Sequence, residues 1–94
     1  MFIDFSFEKN KWLLKTRGVC FDHVIEAIKQ GFLLKIQEHP NESRYGHQKV
    51  MMVAIENYVY IVPFVQNGET LFLKTVFPSR KFTKMLIGKE FNEK

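Results

Sequence analysis

The sequence predicts a single α+β domain, in which a small antiparallel sheet of about four or five strands follows two helices and precedes a third. Its 94 residues suit one domain, and 46% of them are hydrophobic, including ten phenylalanines that can fill a thin core. Residues 32–77 are rich in β-branched and aromatic side chains, whereas helical stretches ended by glycine lie on either side. The predicted order is β-α-α-β-β-β-β-α over one domain of residues 1–94, with 89–94 as a frayed tail.

The N-terminal third predicts one strand and two helices. Residues 2–7 alternate apolar and polar side chains, which is typical of a half-buried strand. A helix is expected over 8–16, with Gly18 as its stop signal. Asp22 is suited to cap a second helix over 23–30.

The rest of the chain predicts a run of strands and a final helix that Ser79 is expected to cap. The expected elements are strands over 32–37, 48–55, 58–65 and 70–77, a polar loop over 38–46, and a helix over 80–87. Both faces of the strand over 48–55 are apolar. Either helices of this chain or another protein must therefore cover each side of the sheet.

Several classes of site are excluded by composition. The single cysteine, Cys20, allows neither an internal disulfide nor a cysteine-based zinc cluster, and we expect it to be a small buried hydrophobe. The three histidines lack the spacing of metal ligands, so no metal or other cofactor is expected. No signal peptide and no apolar run of about 20 residues is evident, which favours the cytoplasm and no membrane.

The positive charge lies at one end of the sequence. The whole chain has a net charge of +4, and residues 74–94 hold six basic and two acidic side chains, which account for the entire excess. Apolar residues are interleaved with the cations over 74–84, unlike in a simple solvated tail. A basic end on a neutral body attracts polyanions, among which nucleic acid is the commonest in the cytosol.

Two groups of polar side chains supply candidate contacts with RNA. Cleavage without a metal needs a base for the 2′-hydroxyl, cations for the charge that builds on the phosphate, and an acid for the leaving oxygen. Candidates for these catalytic roles are Arg80, Lys74, His39, Tyr45 and Glu38. Candidates for binding RNA are Lys81, Arg44, Lys49, His47 and Lys84.

Ordinary structural roles stay open for several of these residues. His39 precedes a proline and can simply shape a turn, Tyr45 can pack over the sheet edge, and Lys74 can be a surface lysine of a strand. Arg80 and Lys81 begin a helix, where the dipole disfavours each cation by about half a kcal/mol. Two cations in that position indicate a role in meeting an anion.

Three segments of the chain together resemble one known family. Residues 5–21 (FSFEKNKWLLKTRGVCF), with an aromatic strand end, a lysine, a short helix and a Gly-Val-x-Phe step, resemble the opening of the BrnT family of toxins. Residues 72–84 (FLKTVFPSRKFTK) resemble its end, and Ser43-Arg44-Tyr45 precedes the hairpin in the corresponding place. Each motif is short, but together they span nearly the whole chain in the same order.

This resemblance implies a RelE-like fold and a ribonuclease toxin of a type II toxin–antitoxin pair. It further implies RNA as substrate, free or on the ribosome, and a small antitoxin with a DNA-binding part of the ribbon-helix-helix kind, through which alone operator DNA is bound. Lys9, Arg44, Lys74 and Arg80 fall where the family has basic residues, which adds Lys9 to the RNA-binding candidates.

The chain also departs from the family, with Leu13 in place of an asparagine and Phe82 in place of an alanine. Two other functions therefore stay open: a binding module without catalysis, and a subunit whose apolar sheet face forms a homodimer.

Overall fold

The computed structural model describes residues 2–38 and 48–88, which form a six-stranded sheet and three helices. The elements in chain order are β1 (Phe2–Phe5), α1 (Phe7–Arg17), α2 (Phe21–Lys29), β2 (Leu33–Glu38), β3 (Gln48–Ile55), β4 (Tyr58–Asn67), β5 (Thr70–Leu73), β6 (Phe77–Pro78) and α3 (Arg80–Leu86). The α+β class and the three predicted helices are confirmed. No helix within the described ranges is long and apolar enough to cross a membrane.

The sheet is mixed, so the prediction of a purely antiparallel sheet is wrong. Its order is β1-β5-β4-β3-β2, with β6 also paired to β4, and β1 lies parallel to β5 in the register Phe2↔Thr70 to Phe5↔Leu73. Alternation of apolar residues specifies which face of a strand is buried, but neither its direction nor its neighbour. The two helices and three strands between β1 and β5 give the chain enough length to return in either direction.

The predicted last strand over 70–77 is interrupted, and this gives the sheet one strand more than expected. Lys74 donates its backbone N–H to the carbonyl of Pro63 at 2.8 Å, but Pro63 has no N–H with which to return the bond. The ladder that joins β4 to β5 therefore ends there, and pairing resumes only at β6. Between them Val76 turns fully into the core.

Helices of this chain lie on both faces of the sheet, which is one of the two alternatives that the apolar strand over 48–55 left open. On the face that we call the helical face, α1 and α2 pack over a core that includes Leu13, Phe21, Val24, Met51, Val53, Val62, Phe64 and Val76. On the opposite face, called the groove face, α3 packs over a smaller cluster of Val50, Met52 and Val59 with Phe82 and Ile87. The seven-residue α3 is short, and it leaves part of the groove face open.

The junction of α1 and α2 corrects one predicted cap. Helix α2 begins at Phe21, with Cys20 rather than Asp22 at the N-cap. The backbone N–H of Cys20 donates to Nδ1 of His23 at 3.1 Å, and Cys20 is buried as expected. Asp22 lies in the first turn and accepts a hydrogen bond from Nδ2 of Asn10 at 3.0 Å, a partner that local sequence does not reveal.

Candidate nucleic-acid interface

Helix α3 is fixed to β4 by a short network of hydrogen bonds. Ser79 caps it, as predicted, by accepting from the N–H of Phe82 at 3.1 Å, and its own N–H donates to the carbonyl of Val59 at 2.9 Å. The Thr83 hydroxyl accepts from the N–H of Val59 at 2.8 Å and donates to the carbonyl of Ser79 at 2.7 Å. These bonds set the position of the basic residues that begin α3.

An apolar groove runs beside α3 on the groove face. It has a volume of about 420 Å³. Its floor comes from adjacent strands through Val50, Met52, Ile61 and Pro63, and its walls come from Gln37, Phe77, Lys81 and Phe82. Because α3 covers only part of this face, the groove remains open to solvent, and its aromatic walls can contact a planar group.

One lysine lines this groove, and two others lie on parts of the chain that adjoin it. Lys81 lines it from α3, with Nζ 5.7 Å from the Phe82 ring. Lys74 follows β5 and is bonded through its backbone to Pro63 in the floor, with Nζ 5.3 Å from the Phe72 ring. On β2, Lys35 lies two residues before Gln37, and strand alternation directs both side chains to the same face.

Two more predicted residues extend the basic surface along α3. Arg80 and Lys84 are exposed and four positions apart, so they are neighbours on the surface of the helix. With Lys81 they place three cations within the first five residues of a helix that has no acidic residue in its first turn. Among the predicted cations, Lys81 therefore lines the groove, Arg80 and Lys84 share its helix, and Lys74 is bonded through its backbone to Pro63 in the groove floor.

Three other predicted residues lie on the helical face. Glu38 and Lys49 are register partners at the end of β2 and β3, and Lys49 is in turn opposite Phe64, whose side chain is in the core of the helical face. Lys9 lies on α1, with Nζ 5.0 Å from the Trp12 ring. The sheet therefore separates these three residues from the groove. The remaining predicted residues, His39, Arg44, Tyr45 and His47, lie outside the described residues.

Sequence reasoning missed the apolar half of this site. Gln37 and Phe77 line the groove, but neither is predicted from the sequence, because charge marks the basic residues and does not mark the neutral side chains between them. A signal was present in the alternation of residues 33–38, which directs Lys35 and Gln37 to one face. Phe82, which had been noted only as a departure from the family, forms a wall of the groove.

A second group of titratable side chains lies on the helical face, beside the turn between β3 and β4. His23, Glu56 and Tyr60 line a cleft of about 120 Å³ there. Burial raises the pKa of Tyr60 above its usual value of 10.0, and the nearby Glu56 and Tyr58 raise it further. Within the described residues, no group of three or more His, Cys, Asp or Glu side chains could hold a metal ion.

The groove can bind a phosphate and a base together. Lys81 in its wall offsets the charge of a phosphate, and its apolar floor and phenylalanine walls suit a nucleobase. The described part of its lining contains neither an imidazole nor a carboxylate. These residues can therefore bind RNA and stabilise negative charge, whereas proton transfer requires groups from elsewhere in the chain.

Comparison with known proteins adds no relative: no family model matches the chain, and no curated protein and no solved structure is significantly similar to it.

Proposed function

We propose that this chain is a BrnT-like ribonuclease toxin of a type II toxin–antitoxin pair, which binds RNA at the groove beside α3 and cleaves it in the cytoplasm without a metal. The observation that carries the proposal is an apolar groove with aromatic walls that Lys81 lines, with Arg80 on the same helix and Lys74 bonded through its backbone to Pro63 in the floor. Basic side chains interleaved with aromatic ones are typical of protein surfaces that bind single-stranded nucleic acid. The order of the three motifs along the chain supports the same family.

In this proposal the cations of residues 74–84 and the polar side chains of residues 38–45 have different roles. Arg80 and Lys74 stabilise the charge that develops on the phosphate, while Lys81 and Lys84 hold the neighbouring backbone. A base for the 2′-hydroxyl and an acid for the leaving oxygen come from His39 and Tyr45, as the sequence predicts, whereas Glu38 lies on the other face of the sheet. Cleavage then gives a 2′,3′-cyclic phosphate and a free 5′-hydroxyl.

The partner of such a toxin is a small antitoxin with a DNA-binding part. Support for a protein partner comes from the exposed apolar side chains that the chain does not cover itself, among them Met85 and Leu86 on α3. An antitoxin that packs on α3 would also cover the cations beside the groove, which explains neutralisation by simple occlusion.

Three variants test the function. Purified protein is incubated with labelled RNA in the presence of EDTA, and the same genes are induced in bacteria. We expect cleavage to a cyclic phosphate and growth arrest by the natural chain, with at least a hundredfold loss of cleavage for Arg80→Ala, since removing one donor to a developing anion costs about that much. Lys81→Ala should weaken RNA binding more than turnover. Lys29→Ala, an exposed lysine on α2, is the matched control and should leave both unchanged.

One observation favours a second function, a nucleic-acid-binding module without catalysis. The described lining of the groove has cations and aromatic side chains but no acid or base. If the chain binds RNA through Arg80 and Lys81 but neither cleaves it nor arrests growth, this second function replaces the first. If it neither binds nor cleaves RNA, both are wrong.

A further inference from the structure

Helix α1 presents large apolar side chains to solvent. Phe7, Trp12 and Leu14 are 71%, 46% and 52% exposed, whereas the buried positions of the helix are held by Leu13 and the amide of Asn10. A helix on the surface of a small domain normally places polar residues outward. The core does not require these three side chains, so another role has to explain them.

Each exposed ring of α1 has a cation over its face. Nζ of Lys9 lies 5.0 Å from the centre of the Trp12 ring, the guanidinium carbon of Arg17 lies 5.3 Å from it, and Nζ of Lys11 lies 5.6 Å from the ring of Phe7. The helix carries four basic side chains and one acidic one. Rings and cations therefore alternate along its outer surface.

This surface is connected to the groove around the edge of the sheet. Nη1 of Arg17 donates to the carbonyl of Val76 at 2.7 Å, and Val76 immediately precedes Phe77, which lines the groove. Among the described strands, β6 pairs only with β4, so no strand covers its outer edge. An RNA strand that leaves the groove beside Phe77 can therefore cross this edge and reach Arg17 and Trp12 without passing over another described β-strand.

We infer that Phe7, Lys9, Trp12 and Arg17 form a stacking platform for single-stranded RNA that continues from the groove around the β6 edge; this inference rests on the proposed function. A base stacks on the ring of Trp12, where it takes the place of the Lys9 ammonium that lies over that ring, and the next base stacks on the outer face of the Arg17 guanidinium, which its bond to Val76 holds in place. Lys9 and Lys11 contact the phosphates between the stacked bases.

The observations favour single-stranded RNA over other polyanions. A duplex keeps its bases stacked on one another, so it offers no base face to an exposed indole. An acidic protein segment would match the charge of α1, but its carboxylates would not contact the aromatic rings over which these cations lie. Alternating charge and rings match the alternating phosphates and bases of an unpaired strand.

The chain contains a single tryptophan, so its fluorescence reports on Trp12 alone. The probe is a 2′-O-methyl oligouridylate of about 12 nucleotides, a length typical of stacking surfaces, which a ribonuclease cannot cleave because the attacking hydroxyl is blocked. We expect saturable quenching of the fluorescence. The Trp12 variants have no tryptophan, so their affinity and that of the natural chain are compared by fluorescence anisotropy of a dye-labelled copy of the same oligonucleotide. We expect a loss of affinity of about 5- to 100-fold for Trp12→Ala, the range for removing one stacked base, and a smaller loss for Trp12→Phe.

Control variants separate stacking from charge and from folding. Leu14→Ala removes an exposed apolar side chain of the same helix that has no ring on which a base can stack, and it should leave affinity unchanged. Arg17→Lys keeps the charge but loses the plane, and it should weaken binding several-fold. Circular dichroism of each variant checks the fold, and Trp12→Leu keeps the apolar bulk while removing the stacking surface, should Trp12→Ala fail to fold.

Two results would overturn the platform without touching the proposed function. In one, Arg80→Ala weakens RNA binding while Trp12→Ala and Trp12→Leu do not. In the other, polyglutamate quenches Trp12 as strongly as the oligonucleotide at equal charge, which assigns this surface to an acidic protein. A natural chain that binds no RNA at all would defeat the proposed function together with the platform.

Discussion

The buried hydroxyl of Thr83 accepts a hydrogen bond from the backbone amide of Val59 at 2.8 Å, which joins the last helix to the central part of the sheet. The same hydroxyl donates to the carbonyl of Ser79. Thr83 and Val59 are both fully buried, so neither the hydroxyl nor the amide has water as an alternative partner. The placement of Arg80 and Lys81 beside the groove therefore depends on one side chain that does not contact RNA.

Replacing Thr83 should consequently weaken both stability and RNA binding. Thr83→Val keeps the shape but leaves the amide of Val59 buried without a partner, and we expect it to lower the free energy of unfolding by about 1–3 kcal/mol. Thr83→Ser keeps the hydroxyl and should cost only about 1 kcal/mol for the lost methyl group. Urea unfolding measures the difference. If Thr83→Val is no less stable than Thr83→Ser, the hydroxyl does not anchor α3.

The cations of the groove should be visible in the salt dependence of RNA binding. Each phosphate contact with a single strand contributes about −0.7 to the slope of log affinity against log salt concentration. Lys74→Gln, Arg80→Gln and Lys81→Gln should each make the slope about 0.7 less steep, whereas Lys29→Gln on α2 should leave it unchanged. Titrations at several salt concentrations give the slopes. Equal slopes for all four variants would contradict contact with phosphate at the groove.

Sequence patterns predicted the elements of this chain much better than their arrangement. The bounds of β3 and the capping of α3 by Ser79 were correct, because alternation and capping are local properties. The parallel position of β1 and the interruption after Leu73 depend on contacts between distant residues, such as Lys74 with Pro63. The sequence shows that Pro63 has no backbone N–H to donate. It does not show which neighbouring segment would have accepted that hydrogen bond.

The same limit applies to the candidate site. The basic cluster at residues 74–84 was predictable, since charge is visible in a sequence and the break before α3 is marked by Pro78 and Ser79. The separation of Glu38 and Lys49 from this cluster follows from which face of the sheet each side chain occupies. That face depends on register, and one residue of shift would reverse it.

Exchanging the partners of a buried hydrogen bond should test the junction of α1 with α2. Asn10 accepts from the N–H of Phe21 at 2.7 Å and donates to Asp22. Asn10→Asp keeps the acceptor but sets two carboxylates against each other, and we expect a loss of about 1–3 kcal/mol at neutral pH, as for a buried polar group without its partner. Adding Asp22→Asn restores one donor and one acceptor, and it should recover much of the loss.

The measurement is urea unfolding of the two single variants and the double variant. Asp22→Asn alone serves as the control for removing the charge from the first turn of α2, where an acidic residue is favourable. If the loss in the double variant equals or exceeds the sum of the two single losses, the amide and the carboxylate do not act as a pair.

Alkaline pH should destabilise the fold through Tyr60. Burial, with Glu56 and Tyr58 adding to it, raises the pKa of Tyr60 in the folded chain above the ordinary value of 10.0. Below the ordinary pKa the phenol is neutral in both states, so its contribution to stability is fully present. As pH rises above about 10 the unfolded chain loses this proton first, and that contribution is lost progressively as pH rises through the folded pKa.

Tyr60→Phe removes this titration, so its free energy of unfolding should fall less steeply above about pH 10 than that of the natural chain. Glu56→Gln should lower the pKa of Tyr60 only in part, since burial is the larger cause. Absorbance of the phenolate, measured alongside urea unfolding across this range, assigns the effect to tyrosine. If the natural chain and Tyr60→Phe lose stability in parallel as pH rises, another group is responsible, because a phenylalanine has no proton to release.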